Sequence, residues 1–124
     1  MILDTNFLLI PSEFNVDIFS ELKRIINENF DIFLYQSTFN ELNNIIEKER
    51  NKYKKAAKIA LMLIKQKNLK TLPNSLNLTV DEAIIENSIE TDIVCTQDIE
   101  LKKKLKQKKI RVITLKRKKY LDFV

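Results

Sequence analysis

Five short apolar runs alternate with helical patterns along this chain, and that alternation limits it to few architectures. Met1–Asp4, Asp31–Gln36, Leu69–Thr71, Asp92–Thr96 and Arg111–Leu115 read as strands. Between them, a helix starts at Asn15 or Asp17 and runs to about Asn29, with Ile18, Phe19, Leu22, Ile25 and Ile26 at helical spacing. A helix pair follows. The first starts at Ser37 or Thr38 and runs to about Arg50; the second spans Lys52–Lys67, with Tyr53, Ala56, Ala57, Ala60, Leu61 and Ile64 facing inward. Pro73 sits in a loop, Leu72–Leu78. Thr79 and Glu82 make a capping box for a helix to about Ile89, and Asp98 caps one ending near Gln107. Strands separated by helices imply a mostly parallel sheet covered on both faces. No repeat or linker breaks the 124 residues, which are expected to form one domain, 1–124.

Four acids recur at the same kind of place. Asp4 closes Met1-Ile2-Leu3, Glu41 enters a helix after Ile32-Phe33-Leu34-Tyr35, Asp81 opens the Thr79 helix, and Asp98 follows Ile93-Val94-Cys95-Thr96. In an open parallel sheet, strand carboxyl ends and the helix starts beside them share one edge, where ligands bind. Carboxylates converging there repel one another unless a hard cation joins them, and Mg²⁺ or Mn²⁺ with oxygen ligands meets that need. Each acid also has a plainer reading. Asp4 could bond the next loop's N–H groups, Glu41 could pair with Thr38, Asp81 could favour its helix dipole, and Asp98 could be only a cap. Glu82 is the better partner for Thr79, which frees Asp81.

Composition removes rival chemistries. The chain has no histidine, so it holds no Ser-His-Asp triad. Its one cysteine, Cys95, reads as an inert buried thiol and cannot build a Cys/His zinc site. It has no glycine, hence no P-loop or dinucleotide fingerprint. No apolar run approaches the ~20 residues of a membrane helix, and the N-terminus does not read as a signal peptide, so the expected location is the cytoplasm, without a membrane.

The net charge of +5 is unevenly spread. Residues 102–119 hold 11 of the 22 basic side chains and none of the 17 acids. A basic segment beside an acidic pocket suits a polyanion. Lys102, Lys103, Lys106, Lys116, Arg117, Lys118 and Lys119 are the expected contacts to its backbone, against the plainer reading of a solubilising surface. Tyr35 and Tyr120 could stack on bases, with ordinary packing the plainer role.

Leu3-Asp4-Thr5-Asn6, Glu41 within Ser37-Thr38-Phe39-Asn40-Glu41-Leu42, Asp81 within Val80-Asp81-Glu82-Ala83-Ile84, and Thr96-Gln97-Asp98-Ile99-Glu100-Leu101 resemble the motifs of PIN-domain nucleases. The likeness runs from residue 1 to about 121. The stretch from Asp81 to Leu121 is most similar to archaeal PIN proteins near the ribosomal-RNA-processing branch, with the VapC toxin branch next. It implies a Rossmann-like three-layer α/β/α sandwich with a central, mostly parallel sheet of about five strands, and Mg²⁺- or Mn²⁺-dependent endonucleolytic cleavage of RNA. By the same likeness, Asp4, Glu41, Asp81 and Asp98 would be the catalytic metal-binding acids. Asn6, Thr96 and Glu100 would be secondary. The chain departs from the family in having Glu90-Thr91-Asp92 where glycine usually precedes a strand, and Gln97 where many relatives carry Asn.

Phosphodiester hydrolysis needs an activated water and relief of phosphate charge; metal ions held by carboxylates supply both without histidine. The expected partner is RNA. A homodimer, an antitoxin or a ribosome-assembly partner is also compatible with the likeness. The rival function is a non-catalytic RNA-binding module that keeps the basic segment and uses the acids as caps.

Overall fold

The computed structural model describes residues 1–74 and 77–124; Ser75 and Leu76, within the expected Leu72–Leu78 loop, lie outside the described residues. Among those described, six strands form one sheet: β1 Ile2–Leu3, β2 Phe33–Tyr35, β3 Lys70–Leu72, β4 Ile93–Cys95, β5 Arg111–Lys116 and β6 Tyr120–Phe123. Their order is β3-β2-β1-β4-β5-β6. The first five run parallel and β6 returns antiparallel along β5, with Leu115 opposite Leu121.

The strand residues alternate between two packed faces, as a pleated sheet requires. Leu3, Leu34, Ile93, Cys95, Ile113 and Leu121 point into one core. Ile2, Tyr35, Val94 and Val112 point into the other. Over the first face lie a 3₁₀ turn at Thr5–Leu9 and helices α1 Ile10–Phe14, α2 Ile18–Ile25, α3 Ser37–Lys48 and α4 Asn51–Gln66. Helices α5 Val80–Asn87 and α6 Ile99–Gln107 cover the second. The result is the expected three-layer α/β/α arrangement.

Several boundaries differ from the sequence reading. The sheet has six strands rather than about five, because Tyr120-Leu121-Asp122-Phe123 pairs as an edge strand with Leu121 fully buried. Four residues behind a lysine run carry too little periodicity to stand out. Two side chains of α2 close its outer backbone: Glu21 Oε1 accepts from the Leu121 N–H at 3.0 Å, and the Arg24 guanidinium donates to the Leu121 carbonyl at 2.9 Å. An edge so covered offers no strand-pairing template. Helix α2 ends at Ile25, not near Asn29, because Ile26 turns extended (φ −113°, ψ 117°) and buries its side chain. Helix α5 stops at Asn87 rather than Ile89, since Ser88 is extended. The α1 turn was not anticipated, and Tyr53, expected inward, is exposed beneath Lys52. Tyr35 packs in the second core.

Glycine is absent, so other residues occupy the left-handed backbone region. Asn15 and Asn68, each with φ of 54°, do this after helices at modest cost. Arg117 and Lys118, with φ of 54° and 58°, do it side by side at the β5–β6 turn, closed by the Lys119 N–H to the Lys116 carbonyl at 3.0 Å. Two positive φ values suit the twist of a hairpin, but that turn favours Asn-Gly. An ordinary side chain there costs on the order of 1 kcal/mol. Replacing Arg117 with Asn and Lys118 with Gly should therefore stabilise the fold by about 1 kcal/mol, after the flexibility of glycine in the unfolded chain is subtracted. Thermal melting should rise by about 3–5 °C. An unchanged or lower midpoint would show that the turn stores no strain.

Candidate active site

The carboxyl ends of β1 and β4 meet where the strand order reverses: from β1 the chain crosses to β2 on one side, while β4 lies on the other. Such a point leaves a crevice beyond the strand ends. Asp4 and Asp98 stand on its two walls.

Asp4 follows β1 directly, and its N–H donates to the Cys95 carbonyl of β4 at 2.9 Å. Its side chain is 3% exposed. Both carboxylate oxygens have donors: the Thr5 N–H at 2.8 Å on Oδ1 and the Thr96 hydroxyl at 2.7 Å on Oδ2. The Thr96 oxygen in turn accepts from the Asp98 N–H at 3.1 Å. One hydroxyl thus ties the ends of two neighbouring strands and sets the plane of the buried carboxylate. Asp98 caps α6, its Oδ1 accepting from the Leu101 N–H at 3.0 Å. Glu41 does not cap its own helix, whose first N–H, that of Ser37, donates to the Asn74 side-chain oxygen at 3.0 Å. It reaches across instead, Oε2 accepting from the Val80 N–H at 3.1 Å, and so binds the start of α5. Thr79 accepts from the Glu82 N–H at 3.2 Å and donates to the Glu82 carboxylate at 3.1 Å, leaving Asp81 free of that cap as expected.

Electrostatics link the four acids. Burial pushes the Asp4 carboxyl up to about 7; the charges of Asp81 and Glu41 add to that rise, while the Thr96 and Thr5 hydrogen bonds oppose it. Burial also raises Asp81, helped by the like charges of Asp98 and Glu41 and opposed by its hydrogen bond with Asp4 and by Lys104. Asp4 and Asp81 are therefore in direct contact, with Glu41 and Asp98 acting on them through charge. Among the described residues no three such side chains form a ready cage for an ion. Glu41 and Asp98 each commit an oxygen to a backbone N–H. The chemistry of the four side chains nevertheless fits a hard divalent cation: all are carboxylates, and the charges of Asp81 and Glu41 make Asp4 harder to ionise in the absence of one.

The secondary residues divide. Thr96 is fully buried at the centre of the site, and the Asn6 side-chain oxygen accepts from the Gln97 N–H at 3.3 Å, joining the two loops. Glu100 faces solvent and pairs with Lys103 at 3.7 Å, apart from those bonds. Two contributors escaped the sequence reading. Gln97 accepts from the Thr114 hydroxyl at 2.6 Å and the Leu115 N–H at 2.7 Å, fixing the loop after β4 to β5. Lys104 lies near enough for its charge to oppose the rise of Asp81, although its place in a uniform lysine run gave it no distinguishing mark.

Between the ordinary carboxylate range and about 7, the folded chain keeps a proton on Asp4 that the unfolded chain has released. Stability without metal should therefore fall as pH rises from about 4 to about 7, by a few kcal/mol in order of magnitude. In chelator, Asp4→Asn should remove most of that slope, so that its melting point exceeds the wild type's by more at pH 8 than at pH 4. Parallel curves for the two proteins would refute the protonation of Asp4.

The chain matches the PIN like domain family over residues 1–118. It is 33% identical over 121 residues to a protein of Methanocaldococcus jannaschii named Ribonuclease VapC4, covering 96% of this chain and 92% of that one. Its fold is similar to a solved structure of the PIN domain endonuclease Utp24, with a TM-score of 0.77 at 19% identity, covering 98% of this chain and 88% of the other. The family match over nearly the whole chain is decisive: the chain belongs to the PIN-like domain family.

Proposed function

We propose that this chain is a metal-dependent endoribonuclease that hydrolyses RNA phosphodiester bonds at the crevice between β1 and β4. The observation that carries the reading is Asp4: a buried carboxylate held on both oxygens, in contact with Asp81 at the strand-order reversal. A structural role alone does not favour placing a second acid against it, because the charge of Asp81 opposes ionisation of Asp4. The ribonuclease name of the Methanocaldococcus jannaschii relative supports the reaction class.

Asp4 and Asp81 would hold Mg²⁺ or Mn²⁺, with Glu41 and Asp98 completing the oxygen set. When bound, such an ion supplies water activation and neutralisation of phosphate charge. The residues of the chain do the rest. Thr96 and the Thr5 N–H hold the Asp4 carboxylate in one plane, and Gln97 holds the loop that carries Asp98. The proton kept by Asp4 near neutral pH must leave when a cation binds. Lys104, beside Asp81, offers a cation to a phosphate oxygen at the rim. The role we infer is RNA processing. A second reading, a ribonuclease toxin paired with an antitoxin, is favoured by the VapC name of the relative and predicts growth arrest on expression.

Cleavage of RNA should require Mg²⁺ or Mn²⁺, stop in chelator, and drop to background in Asp4→Asn. Thr96→Val, which frees one oxygen of Asp4, should cost about 10- to 100-fold in activity or metal affinity. Calorimetry with Mn²⁺ is the direct measurement, and affinity should tighten from pH 6 to pH 8 as the site loses its proton. Identical heats for wild type and Asp4→Asn would end the nuclease reading in favour of a binding module.

A further inference from the structure

The β5–β6 hairpin carries its turn at the carboxyl end of β5, the same sheet edge as Asp4 and Asp98. Four consecutive cations, Lys116 to Lys119, form that turn, and Arg117 and Lys118 hold it in a conformation that ordinary side chains disfavour. Gln97 fastens the base of the hairpin to the loop carrying Asp98 through the Leu115 N–H. Lys102, on the first turn of α6, is half-buried and lies near enough to both Asp98 and Lys116 to feel their charges. Lys102 and the hairpin cations thus border the crevice along the same sheet edge, where one backbone can meet both.

We propose that Lys102 and Lys116, extended by the Arg117–Lys118 turn, form a phosphate-holding rim that grips the RNA backbone on the β5 side of the cleavage crevice. The proposal rests on the ribonuclease reading and adds to it a place and a direction. Substrate leaves the acids over the loop at Gln97 and passes along the hairpin. The four acids would hold the reacting phosphate, and the rim a neighbouring one. Interactions of this kind bind the backbone without reading sequence.

The test is binding of a single-stranded RNA oligonucleotide in chelator, where no cleavage occurs, across a salt series. Arg117→Asn with Lys118→Gly should weaken binding about 5- to 20-fold at low salt. It should also reduce the salt slope by about one for each phosphate that is no longer neutralised. Because this variant relieves strain, its melting point should not fall, so weaker binding cannot be ascribed to misfolding. Lys102→Gln with Lys116→Gln should have a similar effect. Lys23→Gln with Lys67→Gln removes the same charge from the opposite end of the sheet, beside a cavity of about 670 Å³, and should leave affinity nearly unchanged. Equal weakening by that control pair would reduce the effect to net charge and overturn the rim. Unaltered affinity in the hairpin variant, with RNA bound by the wild type, overturns the rim and leaves the nuclease reading standing. No binding of RNA by the wild type overturns both.

Discussion

The hydrogen bond from the Thr96 hydroxyl to Asp4 is the interaction around which this molecule is arranged. It joins the ends of two parallel strands that are far apart in the chain. It also gives a buried carboxylate one of the two donors that make its burial tolerable. Because the same oxygen accepts the Asp98 N–H, the start of α6 is set by the same side chain. Loss of that hydroxyl would free the Asp4 carboxylate and the loop that positions Asp98 together.

The rest of the edge follows from where charge is placed on this frame. Asp81 meets Asp4, while Glu41 and Asp98 stand close enough to raise the cost of ionising the pair. The protein answers part of that cost with backbone: the starts of α5 and α6 each offer an N–H to one of the flanking acids. Lys104 answers another part. What remains is a residual negative potential confined to one crevice, which suits a divalent cation. The lysines of α6 and of the β5–β6 hairpin lie beside it, so opposite charges are segregated over a short distance. Such an arrangement would draw a polyanion in along its backbone.

The absence of glycine gives the fold a particular character. Every tight reversal must be made by residues that have a Cβ, and the chain uses asparagine at two of them. At the hairpin it uses arginine and lysine, and accepts the strain. The edge strand that this turn creates is closed by Glu21 and Arg24, which saturate the Leu121 backbone and protect the sheet from pairing with another chain.

The sequence by itself determined the layer order, the sheet direction and the acid positions, because each rests on local periodicity. An acid at the end of an apolar run is visible without knowing what lies beside it, and Asp4, Asp81 and Asp98 stand out in that way. The Thr79–Glu82 pairing was legible for the same reason, since both partners sit on one turn. Only the tertiary structure decided which acids touch. Glu41 was readable as a site acid or as a partner of Thr38 in its own helix, but not as what it is here, a cap on the start of α5, 39 residues away. Gln97 had no readable role until β5 supplied the Thr114 hydroxyl and the Leu115 N–H. Lys104 was lost in a uniform lysine run until the fold brought its charge within reach of Asp81. β6 escaped because its stability comes from pairing with β5 and from α2 rather than from its own four residues. Local propensity is written along the chain, whereas contact, burial and the resulting shift of Asp4 depend on elements brought together across the sheet.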